Sequence, residues 1–326
     1  MERLGKRALR AVGAPLDLAA LLHGQLYERK RAVILSSATL SVRDAGAEGS
    51  GFAPLAFQSK IQNPKSKIDA PHPKSFEYLK HRLGLSLCAP GQLDELLEGS
   101  PFDYATQCRL YVPTFLPEPG GGRERGFNEA LAGALAPLAL AAGGRTLALF
   151  TSYESLRHNA AALRRALAPE GLEVLAQGED GSREALLARL KSGARTVLLG
   201  TASFWEGVDV PGDALSLLVI AKLPFAVFTD PLVQGRCELL EAQGKDPFLH
   251  FSVPNAILRL RQGFGRLIRS KTDRGVVVLC DKRVLTKRYG PAFLRALPVA
   301  ARKAPDPERL AAEVGEFLGA PGGGTV

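Results

Sequence analysis

The residues best suited to chemistry sit in the string QGFGRLIR at positions 262–269. Arg259, Gln262, Arg266 and Arg269 recur at i, i+3, i+7 and i+10, a spacing that puts them on one face of a helix. Ile257, Leu260, Phe264 and Leu267 recur the same way about half a turn round, giving that helix an apolar face. The pattern predicts a helix packed on a sheet with a row of guanidinium groups turned outward. Guanidinium groups are planar and permanently charged, which suits them to phosphate and to transition-state charge. Gly263 and Gly265 each cost about 1 kcal/mol in a helix relative to Ala, so a close approach of the backbone to another group is expected there. An isolated basic helix is ordinarily a solvated face, and the neighbouring segments decide the matter.

SSATL at 36–40 places small hydroxyl residues after an apolar run, and LFTSY at 149–153 repeats that arrangement with Thr151, Ser152 and Tyr153. GTASFWEGVDVPG at 200–212 holds three glycines, the acids Glu206 and Asp209, and the single tryptophan, Trp205. KLPF at 222–225 follows, and Asp281 and Arg283 lie beyond the arginine segment. Taken singly, each has a plain reading: a structural turn, solvated or capping acids, an Asp281–Arg283 ion pair.

From Thr146 onward short apolar strands alternate with helical stretches. Strands are expected at 147–150, 172–176, 196–199, 215–220 and 276–279, with helices at 155–167 and 182–190. Unbroken apolar runs, rather than alternating ones, predict a parallel sheet covered on both faces, hence an α/β doubly wound domain. Chemistry in such sheets gathers at the carboxyl ends of strands, which is where these unusual residues fall. Upstream, a helix is expected at 16–27 and a strand at 32–35. Residues 42–99 read as a connector, whose stretch 58–75 is a surface insertion with lysines and prolines; residues 301–326 read as a C-terminal tail.

The chain has 326 residues, 46% hydrophobic and 23% charged, ordinary for a globular protein with a sizeable core. No apolar run reaches membrane-spanning length and the basic N-terminus lacks a signal-peptide core, so a cytoplasmic protein without membrane contact is expected. The net charge of +9 is concentrated: between 254 and 290 ten Lys or Arg face two Asp. A basic region of that density implies a polyanionic partner. Cys88, Cys108, Cys237 and Cys280 are too far apart to suggest zinc or an iron–sulfur site within this chain.

Taken together and in order, these segments resemble the C-terminal part of DinG-type helicases, of the superfamily 2 group that includes the XPD helicases. SSATL is similar to their motif III, LFTSY to motif IV, FWEGVDVPG to motif V and QGFGRLIR to motif VI. The strings APLDLAALL, SPFDYATQ, LAQGEDGSR, DRGVVVL and KRYGPAFLRALP extend the resemblance over about 14–41 and 79–298. It implies the end of a first motor domain at 1–41 and a RecA-like second motor domain at 100–300. Arg266 and Arg269 would be arginine fingers for an ATP γ-phosphate, with Gln262 and Gly265 in the nucleotide cleft. Glu206, Gly207 and Asp209 would couple that cleft to the nucleic-acid track. Thr151, Ser152, Tyr153 and Trp205 would lie along single-stranded or forked DNA.

The sequence departs from the family in instructive ways. It has no G-x-x-x-x-G-K-[ST] and no DExH-type acidic box, and the family's iron–sulfur cysteines are absent. Phe228 stands where the family has a proline. The resemblance therefore implies that ATP and Mg2+ are held mainly by a first motor domain outside this sequence, with Met1 falling between the acidic box and motif III. The chain alone is expected to be inactive. The rival expectations are a non-catalytic RecA-like nucleic-acid-binding module and a truncated remnant.

Overall fold

The computed structural model describes residues 2–3, 9–10, 14–37, 76–96, 100–192, 195–205 and 214–319. Two compact units divide the chain: Met1–Leu97 with Ala226–Asn255, and Glu98–Phe225 with Ala256–Val326.

The second unit is built on seven strands: β1 (Cys108–Pro113), β2 (Thr146–Leu149), β3 (Glu173–Ala176), β4 (Thr196–Gly200), β5 (Leu217–Ile220), β6 (Gly275–Leu279) and β7 (Ala301–Ala304). Their order across the sheet is β3-β4-β2-β5-β6-β1-β7 and every pairing is parallel. Strands β2, β4, β5 and β6 are buried along their whole length, as their unbroken apolar runs require in a sheet covered on both sides. Helices α1 (Glu124–Ala141), α2 (Tyr153–Leu167) and α5 (Pro307–Gly319) line one face, where Phe127, Leu131, Leu135, Leu163 and Val314 form a core with Phe150, Leu199 and Val219. Helix α3 (Arg183–Lys191) follows β3, and helix α4 (Val253–Phe264) passes close to Leu149 of β2 on the other face. This is the RecA-like arrangement that the resemblance implies.

Several expectations change. The stretch expected to be a tail contributes β7, paired with β1, and α5, whose Leu310 and Val314 are buried in the core. Its apolar positions recur at helical spacing inside a charged stretch, which masked them. β1 and α1 were not anticipated, because reading the strand pattern from Thr146 left the first strand unpaired. The apolar run 32–35 forms no strand: residues 32–37 carry no regular secondary structure. A strand is defined by its ladder, and no described strand runs beside it. Residues 226–255 leave the second unit and group with the first, so the expected boundary at 100 is not the only one.

In the first unit, Ala19–Leu22 continues into a wider turn at His23–Tyr27, and helices Glu77–Leu83 and Pro231–Ala242 accompany it. A Cβ at Gly84 would lie 2.1 Å from the Ala19 carbonyl oxygen, so only glycine closes the Glu77–Leu83 helix at this distance. The insertion expected at 58–75 and residues 38–40 of SSATL lie outside the described residues. Among the described residues no helix is long and apolar enough to cross a membrane.

Candidate nucleotide and nucleic-acid site

Thr151, Ser152 and Tyr153 follow the carboxyl end of β2, all exposed. Ser152 adopts extended backbone and its hydroxyl accepts from the Ser155 amide at 3.2 Å, capping α2. Tyr153 begins the helix with its ring 46% exposed, and its hydroxyl accepts from Gln177 Nε2 at 2.8 Å.

Gln177 is the residue that sequence reading missed. It stands just past the carboxyl end of β3. Its Nε2 also donates to Ser203 Oγ at 2.9 Å, while its Oε1 accepts from the Thr201 amide at 2.7 Å and the Thr201 hydroxyl at 3.0 Å. Both amide protons and both oxygen lone pairs are thereby used. One side chain ties together the segments leaving β2, β3 and β4. Arg183 adds a bond from Nε to the Ser203 carbonyl at 3.1 Å and lies over the Phe204 ring. The signal was available: a polar residue ending a buried parallel strand marks the functional edge of such sheets.

Trp205 is 3% exposed. Its Nε1 donates to the Phe150 carbonyl at 3.4 Å, and a Cβ on Gly263 would lie 3.0 Å from its ring carbons. The close approach expected at Gly263 is therefore to Trp205. A ring packed under a helix offers no face to a base, which is at odds with the expected nucleic-acid contact; the tryptophan fills the space that glycine leaves. Gly265 is exposed and makes no comparable approach.

The arginine segment also departs from expectation. Helix α4 stops at Phe264, so Arg266 and Arg269 lie in the turn that follows rather than on the face shared by Arg259 and Gln262. Two glycines weaken the helix at this point, and Asp273 closes the turn beyond it. Its Oδ2 accepts from the Arg269 and Ser270 amides at 2.8 and 2.9 Å. Buried Gln107 donates to the carbonyls of Ser270 and Asp273, each at 2.9 Å. The apolar positions behave as expected, with Ile257, Leu260, Phe264 and Leu267 all buried. Arg266 is 6% exposed and its Nη2 donates to the Trp205 carbonyl, whereas Arg269 is exposed and Gln262 half-buried. Glu206, Gly207 and Asp209 lie outside the described residues.

Asp281 and Arg283 do pair, and more firmly than a surface bridge. Fully buried Asp281 accepts from the Leu223 amide at 2.9 Å and from Arg283 Nη2 at 2.6 Å, pinning KLPF to the end of β6. Burial opposes the charge on Arg283, but the bonds and charge of Asp281 hold its pKa above the ordinary value. Lys222 bonds Glu124 and stands over the Phe127 ring.

A family model described as the helicase C-terminal domain matches residues 135–300, half of the chain. The chain belongs to the helicase C-terminal domain family. This helicase C-terminal domain is similar to the "3'-5' exonuclease DinG" of Bacillus subtilis, 34% identical over 297 residues that make up 91% of this chain and 28% of that protein. It is 37% identical to the "ATP-dependent DNA helicase YoaA" of Escherichia coli over 291 residues, 88% of this chain and 39% of that protein. The YoaA of Haemophilus influenzae is 40% identical over 288 residues, with 88% and 38% covered. The chain thus spans 28 to 39% of the length of these relatives. Tyr153, Gln177, Trp205, the arginine turn and the Asp281–Arg283 pair all fall inside the range matched to the helicase C-terminal domain.

Proposed function

We propose that this domain is the second motor half of a DinG-type ATP-dependent DNA helicase, coupling ATP hydrolysis to movement along single-stranded DNA and unwinding of forked DNA. The observation that carries the reading is the exposed Arg269 on a turn preset by Asp273 and Gln107. Phosphoryl transfer needs positive charge at a fixed position, and a finger offered from one domain to a nucleotide on another makes hydrolysis depend on closure. ATP and Mg2+ would sit mainly on a first motor domain outside this sequence, the domain's obligatory partner. Arg266 and Arg269 would meet the γ-phosphate, with Gln262 and Gly265 beside it. Thr151, Ser152 and Tyr153 would face the strand, and Glu206, Gly207 and Asp209 would link the two. A DNA substrate would fit a cytoplasmic protein.

The rival reading is a non-catalytic nucleic-acid-binding module, and the inward bond of Arg266 to the Trp205 carbonyl favours it. DNA-stimulated ATP hydrolysis separates the two. The helicase reading expects turnover only when the chain is joined to the coding sequence upstream of it, and loss of that turnover on Arg269→Ala. A joined protein that binds DNA without hydrolysing ATP would favour the module.

A further inference from the structure

We propose that Arg82 and Arg236 form an oxyanion site in the first unit that grips a phosphodiester of a nucleic-acid strand. The choice of polyanion rests on the nucleic-acid reading above; the site itself does not. Arg82 lies on the Glu77–Leu83 helix, Arg236 on the Pro231–Ala242 helix, and Phe251 in the turn Phe248–Ser252. Both guanidinium carbons lie over the Phe251 ring, 5.5 and 5.7 Å from its centroid. The ring itself is buried, so it orients the two forks rather than stacking on a base.

The charges around the pair are few. Arg82 Nη1 donates to the Tyr78 hydroxyl at 3.0 Å, a bond that orients the fork without neutralising it. Asp17 exerts a weak attraction on Arg236, but its carboxylate is committed to the Ala19 amide at 2.9 Å. Among the described residues neither guanidinium has a carboxylate within ion-pair distance. Burial, and after it the charge of Arg82, hold the Arg236 pKa below the ordinary value. Two half-buried like charges on one ring are unfavourable until an anion arrives, and guanidinium forks match phosphate oxygens in pairs. The backing is firm, since a Cβ on Gly235 would come within 2.9 Å of the Leu16 side chain. The alternative is that two arginine stems merely cover Phe251; it gives these residues a part in stability and none in anion affinity.

The test is fluorescence anisotropy of a labelled oligothymidylate with the full chain across a salt series. Arg82→Gln and Arg236→Gln should each weaken binding several-fold and flatten the log–log salt slope by about 0.7, one single-strand phosphate contact. Arg236→Lys keeps the charge, so it should keep the slope and lose affinity. Among the described residues Arg236 has no side-chain hydrogen bond, so its variant carries the test even if Arg82→Gln misfolds. Thermal melting with inorganic phosphate runs alongside. Wild-type binding that both glutamine variants match in affinity and slope overturns the site and leaves the helicase reading intact. No binding to DNA, but a phosphate-dependent rise in melting temperature that Arg236→Gln abolishes, keeps the oxyanion site with free phosphate as its ligand and sinks the nucleic-acid reading. Silence in both assays ends both.

Discussion

Arg266 Nη2 donates to the backbone carbonyl of Trp205, joining two segments 61 residues apart in sequence. Nη2 carries two N–H donors, so this bond takes one of them and turns a side chain that is only 6% exposed toward the backbone of Trp205. Trp205 is the only tryptophan, and its emission therefore reports this contact directly. Arg266→Gln should destabilise the chain by about 1.5–3 kcal/mol, the range for a hydrogen bond to a charged group, and red-shift Trp205 emission. Urea unfolding followed at the tryptophan checks both. An unshifted spectrum with unchanged stability would show that the bond holds nothing in place.

Gln177 and Tyr153 separate two roles. Gln177→Leu removes four hydrogen bonds and leaves the Thr201 amide without its acceptor, so a loss of about 1–3 kcal/mol is expected. Tyr153→Phe removes one bond at an exposed ring and should cost under about 1.5 kcal/mol. On DNA the order reverses. If the Tyr153 ring stacks on a base, Tyr153→Ala loses about 1–3 kcal/mol of binding. Denaturation midpoints and oligothymidylate affinities, measured on the same three variants, decide it.

The parallel sheet was legible because its strands are unbroken apolar runs, a pattern that few other arrangements produce. The stop of α4 at Phe264 was less so, since helical periodicity continues through Arg269 while the turn is fixed by Asp273 and by Gln107, about 160 residues away in sequence. The family resemblance alone sets Trp205 along DNA, whereas the residue by itself reads as part of a structural turn, which suits its burial against Gly263. Gln177 carries no charge and no motif-like spacing of its own; its one signal in the sequence is a polar side chain just past an apolar strand, and its four bonds emerge only where three strand ends meet. Arg82 and Arg236 converge from segments more than 150 residues apart, and nothing local marks either one.

Asp281 should matter to stability more than to chemistry. Asp281→Asn keeps the shape but removes the charge facing Arg283, leaving a half-buried cation without its counterion. Breaking one side of such a pair costs about 3–5 kcal/mol. Arg283→Gln should cost less when added to Asp281→Asn than when made alone, because the two changes remove the same interaction. Thermal unfolding of the two single variants and the double variant gives the coupling directly. Strict additivity would mean that the pair makes no energetic contact.

Cys108 ties the fold to alkaline pH. Burial pushes its thiol from the ordinary 9.0 up to about 12, against smaller opposing effects of Arg109. The folded state therefore holds the thiol proton after the unfolded chain has released it. The stabilisation is fully present below pH 9, and it is lost progressively as the pH rises toward about 12. Desolvation raises the thiol of buried Cys280 in the same direction. In the native chain at mildly alkaline pH, iodoacetamide should label half-buried Cys88 and Cys237 well before Cys108 and Cys280, with urea equalising all four. Mass spectrometry of timed digests reads the order. Native labelling of Cys108 as fast as that of Cys88 would mean that β1, though paired on both sides, opens on the labelling timescale, and this part of the sheet would then be far less stable than its burial indicates.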